Sequence, residues 1–157
     1  MNIKENISLL EGEELVTVRA HSIVNYIGIL LSLANEVGMT HDNLVDWVQG
    51  KYEEKGYYEQ WSNLSNELKV ENFVKLFIRG RNLLYDKISF KEEEDMYIVI
   101  TETWYEKQLP ESFFFFDIDP SDFGSYAANL AIQNAKKIGI KMTIEKEDGL
   151  EKAYIFK

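Results

Sequence analysis

The chain contains no cysteine and only two histidines in 157 residues. Without thiols, the protein cannot form a disulfide, a thiolate nucleophile, an iron–sulfur cluster or a cysteine-based zinc site. The two histidines, His21 and His41, are too few for a histidine-rich metal site. The sequence therefore predicts no metal site and no cofactor.

Basic residues are also scarce, because 17 lysines and arginines stand against 27 aspartates and glutamates, which gives a formal net charge of −10. Binding to nucleic acid phosphates or to anionic lipid headgroups requires a surface rich in lysine and arginine. We therefore expect neither nucleic acid nor a membrane as a partner. The same charge suits a soluble protein, a cationic ligand or a basic protein partner.

Long apolar runs and catalytic motifs are missing too. The most apolar segment, residues 23–34, is interrupted by Asn25 and Ser32 and is too short to cross a bilayer. Residues 1–14 are acidic and lack the basic start and apolar centre of a secretory signal, so we expect a cytoplasmic protein. No glycine-rich phosphate loop and no serine-nucleophile elbow occurs, so the sequence names no reaction.

The first half of the chain has the apolar spacing of helices. Residues 13–37 predict a long helix that stops before Gly38, and Thr40 is placed to cap a second helix that ends near Gly56. The inner face of that second helix is predicted to carry Leu44, Trp47, Val48 and Tyr52. Residues 57–67 predict a short helix or an ordered loop. A third main helix follows, with the stripe Val70, Phe73, Val74, Phe77 and Ile78.

In the second half the apolar period changes from 3.6 to 2. Residues 87–105 predict a β-hairpin with an acidic tip, and Phe113 to Phe116 predict a third strand that is buried on both faces. Asp119, as N-cap before Pro120, starts a helix over residues 121–138. Asp148-Gly149 is the turn of a second hairpin.

These elements predict one α+β domain over residues 1–157. Residues 1–82 would form a mainly helical half, and residues 83–157 a hairpin–helix–hairpin half. The N-terminal helical layer would pack on an antiparallel sheet of four or five strands, made of two hairpins with one crossing helix.

A glutamate stands on the apolar side of the most regular predicted strand. Alternation places Met96, Ile98, Ile100, Glu102 and Trp104 on one face of that strand. An ionised carboxylate among apolar neighbours is unfavourable unless it is paired. Glu102 is therefore predicted to be a ligand anchor or a general acid/base with a raised pKa.

A second reading of Glu102 stays open. The carboxylate could instead pair with a lysine or an arginine whose stem is buried, with Arg79 and Arg81 as candidates, or lie at the end of the strand where solvent reaches it. A shift of one residue in strand register would also expose it.

Aromatic residues supply the rest of the candidate site. Tyr57, Tyr58 and Trp61 lie in an otherwise polar stretch, where a core does not require them. Aromatic rings near acidic groups can line a pocket for a planar or cationic ligand. The predicted ligand-binding residues are Glu102, Trp104, Tyr57, Tyr58, Trp61, Phe114 and Tyr126. The competing interpretation is that these rings simply build the core.

The order of elements resembles a small-molecule-sensing superfamily that includes 4-vinyl reductase domains and haem–nitric-oxide-binding domains. The resemblance rests on residues 98–104, 110–116, 123–130, 141–145 and 153–156. It implies a ligand cavity between sheet and helices, and dimerisation through the helical part. Many relatives in that superfamily have cysteines in the strand before the link and in the last hairpin, which this chain lacks. The tyrosine-serine-arginine signature of haem sensors is also missing, which argues against haem.

The sequence thus favours a cytoplasmic module that binds or senses a small apolar or cationic molecule in an aromatic pocket, with a homodimer among its possible states. Two alternatives belong to other classes. One is an acidic protein-interaction module, of inhibitor or immunity type, that meets a basic partner. The other is a cofactor-free enzyme that uses Glu102 as acid/base and a tyrosine as proton donor.

Overall fold

The computed structural model describes residues 11–85 and 87–157. The first half is helical, as predicted: α1 spans Gly12–Glu36, α2 His41–Glu54, α3 Glu59–Ser62 and α4 Asn66–Leu84. The predicted cap of α2 is present, because the Asn43 N–H donates to Thr40 Oγ1 over 3.2 Å while Asn43 Oδ1 accepts from the Thr40 N–H. Residues 1–10 of the predicted acidic N-terminal segment lie outside the described residues.

The second half consists of β1 (Ile88–Glu92), β2 (Met96–Glu102), α5 (Trp104–Lys107), α6 (Glu111–Phe115), α7 (Pro120–Lys137), β3 (Met142–Glu147) and β4 (Leu150–Phe156). The Asp119 cap of α7 is confirmed, because the Ser121 N–H donates to Asp119 Oδ1 over 2.7 Å. The two hairpins are confirmed as well.

The predicted strand of four phenylalanines is wrong. Residues 111–115 form the short helix α6, in which the Phe113 N–H donates to the Pro110 carbonyl over 3.0 Å. Asp117, at a φ of 52°, turns the chain away after that helix. Phe113 is buried, whereas Phe114, Phe115 and Phe116 are exposed. Of the four phenylalanines that follow Pro110, one side chain is therefore buried and three lie on the surface.

Two further predictions need correction. The strand that was expected to reach residue 105 ends at Glu102, and Trp104 begins α5. On α2, Val45 takes the buried position that was predicted for Trp47, whose ring is exposed. The first error is a strand boundary placed three residues too far along the chain, and the second is an apolar stripe assigned to the wrong residues of α2.

The four strands form a single antiparallel sheet in the order β1-β2-β4-β3. The two hairpins lie side by side because β2 pairs with β4, with Thr101 opposite Glu151 and Val99 opposite Ala153. This pairing puts Val99, Thr101, Glu151 and Ala153 on the face that the helices cover, since all four are buried. The α+β architecture, helices packed on a four-stranded antiparallel sheet, is thereby confirmed.

Two groups of buried apolar side chains hold these layers together. One joins α4 and α7 to the inner face of the sheet through Phe73, Phe77, Ala135 and Ile155. The other lies beneath α1 and includes Leu31, Tyr105, Phe113 and Phe123. The first group borders the candidate site.

Close approach of α1 to α6 depends on Gly28. A Cβ atom added there would come within 2.8 Å of Ser112 Oγ and 2.9 Å of Phe113 Cε1. Both of these side chains are buried, so neither can move away easily.

We predict that Gly28→Ala destabilises the protein by about 1–3 kcal/mol, because the methyl group overpacks this contact. Gly80→Ala is the matched control: Gly80 is also helical, but an added Cβ meets no atom within 4 Å. That substitution should stabilise the helix by about 0.5–1 kcal/mol. Urea unfolding of both variants measures the difference, and equal effects would contradict the close contact.

Candidate functional site

A half-enclosed cleft of about 160 Å³ opens between α3, α4 and α7. Its walls are mainly aromatic, and its lining consists of Tyr57, Tyr58, Trp61, Phe73, Leu76, Phe77, Ala131, Asn134 and Ile138. The side chains of Trp61, Phe73 and Phe77 are buried and belong to the core that α4 and α7 make with the sheet. The cleft is therefore formed by rigidly packed elements.

Gly56 explains how two tyrosines reach the cleft. It has a φ of 69°, a conformation that favours glycine, and it follows the end of α2. The turn places Tyr57 with its ring stacked on that of Tyr52, at a centroid distance of 4.5 Å. Tyr58 meets the Tyr57 ring edge-on at 5.2 Å. Three tyrosines thus hold one another in position at the mouth of the cleft.

Tyr58 is also tied to α2 and α7 by hydrogen bonds. Its hydroxyl is hydrogen bonded to Gln49 Oε1 and lies 2.7 Å from Asn134 Oδ1. Gln49, which is buried, donates from Nε2 to Asn134 Oδ1 over 3.1 Å. Burial, followed by the neighbouring Tyr57, raises the pKa of Tyr58 to about 12. The hydroxyl is therefore protonated at neutral pH and acts as a hydrogen-bonding group.

Trp61 also lines the cleft, and its side chain is buried. Its indole nitrogen Nε1 is buried and has no hydrogen-bond partner among the described residues. A buried N–H without an acceptor costs about 1–3 kcal/mol.

The structure brings together three of the seven predicted ligand-binding residues, namely Tyr57, Tyr58 and Trp61. The others lie elsewhere. The buried Trp104 donates from its indole N–H to the Leu84 carbonyl over 2.7 Å. Tyr126 belongs to the core beneath α1, and the ring of Phe114 is exposed on α6. Trp104 and Tyr126 therefore belong to the core, in line with the competing interpretation, and Phe114 lies on the surface.

The side chain of Glu102 is not on the inner face of β2, which the helices cover. That prediction was wrong, because Val99 and Thr101 point inward and Glu102 lies on the opposite face. The alternative, a paired carboxylate at the strand end, is what the structure has, with lysines as partners. Lys87 Nζ lies 2.8 Å from Glu102 Oε2, and Lys107 Nζ lies 2.9 Å from Oε1.

The two lysines lower the pKa of Glu102 to about 2, first through the hydrogen bond from Lys87 and then through that from Lys107. A carboxylate with this pKa is ionised at neutral pH. It therefore has no proton to give as a general acid, and it is a weak base.

Sequence reasoning missed a second carboxylate that is truly buried. Glu151 and Arg81 are both almost completely inaccessible to solvent, and Arg81 Nη2 lies 2.7 Å from Glu151 Oε1. The guanidinium also lies over the rings of Phe77 and Tyr85, at 4.8 Å and 5.4 Å from their centroids. These contacts offset part of the cost of removing two charges from water.

The signal for this pair was present in the sequence. Glu151 alternates with Ala153 and Ile155, the inward residues of β4, and Arg81 follows Phe77 by four residues on the buried stripe of α4. The strand alternation that was applied to Glu102 also identifies Glu151, and the helical spacing of the α4 stripe identifies Arg81.

Two tyrosines and a lysine extend the buried pair. Burial raises the pKa of Tyr85 to about 12 and raises that of Tyr105 well above its usual range. Lys146 Nζ lies 3.3 Å from the Tyr105 hydroxyl, in space that a side chain at Gly124 would fill, and burial lowers the pKa of Lys146. Both tyrosines therefore keep their protons at neutral pH.

The two histidines contact other side chains. The His21 ring stacks on Trp104 at a centroid distance of 3.8 Å, and His41 Nδ1 lies 3.7 Å from the Asp122 carboxylate. Within residues 11–85 and 87–157, no group of three or more His, Cys, Asp or Glu side chains is placed to hold a metal ion.

Comparison with known proteins identifies a family. The chain is 54% identical over 144 residues to a protein of Bacillus subtilis (strain 168), the uncharacterized protein YxnB, and the match covers 92% of this chain and 90% of that protein. The chain belongs to the same family as YxnB. No protein-family model matches it. Membership in the YxnB family does not assign an activity to this chain. The resemblance to the small-molecule-sensing superfamily stays a prediction.

We predict that the Glu102 carboxyl titrates with a pKa of about 2 in the folded protein. Because the folded pKa is depressed, the stabilisation from Glu102 is present above its ordinary pKa of about 4.5 and is lost as the pH falls toward 2. Carbon-detected NMR of the side-chain carboxyl measures this value. In the double variant Lys87→Met/Lys107→Met, the pKa should return toward 4.5. A value at or above 4.5 in the unsubstituted protein would contradict the lysine pairing.

Proposed function

We propose that this protein is a small-molecule-binding module whose ligand occupies the cleft between α3, α4 and α7. The proposal rests on the half-enclosed, mainly aromatic cleft, to which Trp61 contributes a side chain whose buried indole N–H has no partner among the described residues. An apolar cleft with a few convergent polar groups is the usual form of a ligand site. Aromatic side chains that only built the core would not require an unpaired N–H donor among them.

The size of the cleft limits the ligand to a small planar group. Its volume of about 160 Å³ is close to that of a cavity of about 150 Å³, which holds one benzene molecule. The rings of Trp61, Phe73 and Phe77 can stack on such a group. A single aromatic ring, or one ring of a larger molecule that protrudes through the open side, therefore fits best.

The polar groups at the cleft favour a ring that carries a hydrogen-bonding substituent. Asn134, which lines the cleft, offers an amide that is already oriented by Gln49 and Tyr58, and we infer that binding also brings a ligand acceptor to the buried Trp61 Nε1. An acceptor on the ligand would satisfy the Trp61 donor. A phenol or a ring with a carbonyl group meets this requirement, whereas an unsubstituted ring leaves the donor unpaired.

The alternatives have weaker support. General acid catalysis at Glu102 conflicts with a carboxylate that two lysines keep ionised. An acidic face that meets a basic partner would need a continuous array of free carboxylates, but several glutamates are paired with lysines, among them Glu53, Glu54, Glu71 and Glu92. Ligand binding in the cleft therefore remains the preferred function.

We expect 4-fluorophenol to bind in the cleft with a Kd on the order of 1 mM, which is typical of a ligand of this size. Fluorobenzene, which lacks the hydroxyl, should bind several-fold more weakly because Trp61 Nε1 stays unpaired. Fluorine NMR of each probe, titrated with the protein, measures both affinities.

Three substitutions test whether 4-fluorophenol binds in the cleft. Ala131→Leu fills the cleft from α7 and should weaken 4-fluorophenol binding about tenfold or more. Ala128→Leu is the matched control, because Ala128 is similarly half-buried on α7 and does not line the cleft. Trp61→Phe keeps an aromatic wall but removes the donor, so it should abolish the preference for 4-fluorophenol over fluorobenzene. Binding that is unaffected by Ala131→Leu would refute the proposed site.

A further inference from the structure

The outward face of α1 is apolar along almost its whole length. Val16, Ile23, Tyr26, Leu30, Leu33 and Val37, at the end of the helix, are all exposed. Tyr26 is 74% and Leu33 is 56% exposed. Between residues 16 and 33, Arg19 is the one exposed charged side chain on this helix. The opposite face, with Val24 and Leu31, is fully buried in the core.

The spacing of these exposed residues is that of a coiled-coil seam. With Arg19 included as the one charged member, positions 16, 19, 23, 26, 30, 33 and 37 are separated alternately by three and four residues, which is the a/d pattern of a heptad repeat. Such a seam is narrower than the apolar face of a core helix, and its complement is a second helix with the same spacing. Here the seam faces solvent, while a different face of α1 makes the core.

Helix α6 widens the apolar surface beside the seam. Phe115 and Phe116 border a groove with Tyr26 and Ile29 of α1, and the Phe114 ring lies 5.3 Å from that of Phe115. Phe114 and Phe115 are 70% and 66% exposed. The surface formed by the α1 seam and these phenylalanines is called the α1–α6 patch below.

The size of the α1–α6 patch matches that of an interface. At roughly 150–250 Å² for each aromatic side chain, its four exposed rings alone present on the order of 500 Å². The aliphatic residues of the seam bring the patch toward the roughly 800 Å² that each partner buries in a standard interface. The largest apolar patch of an ordinary monomer measures about 300–600 Å².

We infer that the α1–α6 patch binds a second copy of this chain, with the two α1 helices packed along their heptad seams. The inference is independent of the proposed ligand site. A second copy supplies an identical heptad seam, and a twofold axis lets one apolar surface cover another of the same size. Exposed phenylalanines of α6 then cover the flanks of the partner's helix.

A membrane is the other apolar partner to consider. By length and composition α1 would also be able to cross a bilayer. Its inner face, however, packs on α2, α4, α6 and α7 within the described part of the chain. Arg19 is the one basic residue of the seam, and the exposed charges at the two ends of α1 are Glu13, Glu14 and Glu36, whereas a membrane-surface helix is rich in lysine and arginine. The cytoplasmic location stays a prediction.

Sedimentation equilibrium of the full chain tests the inference. We expect a dimer, of twice the 18.4 kDa chain mass, at micromolar concentration. Leu33→Glu places two carboxylates in the seam of the dimer and should raise the dissociation constant at least about a hundredfold, since each buried charge costs several kcal/mol. Leu68→Glu is the matched control, because Leu68 is 47% exposed at the start of α4, far along that helix from Asn82 and Tyr85, which border α1, and this variant should stay dimeric.

Because Leu33 is exposed in the single chain, Leu33→Glu should keep the helical circular dichroism and the unfolding midpoint of the monomer. A monomeric wild-type protein, or a dimer that survives Leu33→Glu, would overturn the inference. So would a monomer that floats with phosphatidylcholine vesicles and loses this behaviour on Leu33→Glu, because that result would assign the patch to a lipid surface.

Discussion

The buried ion pair between Arg81 and Glu151 determines how the sheet meets the helices. Glu151 lies on the inner face of β4 only because Arg81 reaches it from α4, and an unpaired carboxylate in that place would be strongly destabilising. With Glu151 inward, the pairing of β4 with β2 turns Thr101 inward as well. It follows that Glu102 points outward, where Lys87 and Lys107 hold it ionised.

The position of α4 connects this pair to the candidate ligand site. Phe77 contacts the Arg81 guanidinium and also lines the cleft, one turn earlier on the same helix. The cleft is closed on the opposite side by α7, and Tyr58 links α7 to α2 through its hydrogen bonds to Asn134 and Gln49. The packing that supports the sheet therefore also fixes the distance between the aromatic walls of the cleft.

Most of the fold could be predicted from local rules. The helix caps at Thr40 and Asp119 and the Asp148-Gly149 turn act through neighbouring residues, so their meaning does not depend on the rest of the chain. The phenylalanine run was read wrongly because four successive aromatics have no period of their own. Only the contact of Phe113 with the core beneath α1 decides which ring is buried.

The candidate site was predictable in part, for a related reason. Tyr57, Tyr58 and Trp61 stood out because a polar segment gives no local reason for three aromatic rings. Glu102 and Glu151 each alternate with apolar residues in their strands, so local pattern treats them alike. What separates them is which face the helices cover and where Arg81 lies, and both are properties of the tertiary structure.

The most direct test of this account is a double-mutant cycle on the buried pair, using Arg81→Met, Glu151→Leu and the combination of both, with urea unfolding as the measurement. Each single variant leaves one buried charge without its partner and should lose about 3–5 kcal/mol. The double variant removes both charges and should recover at least about 2 kcal/mol relative to the sum of the single losses. Strictly additive losses would contradict the account, because they would mean that the pair does not hold the sheet against α4.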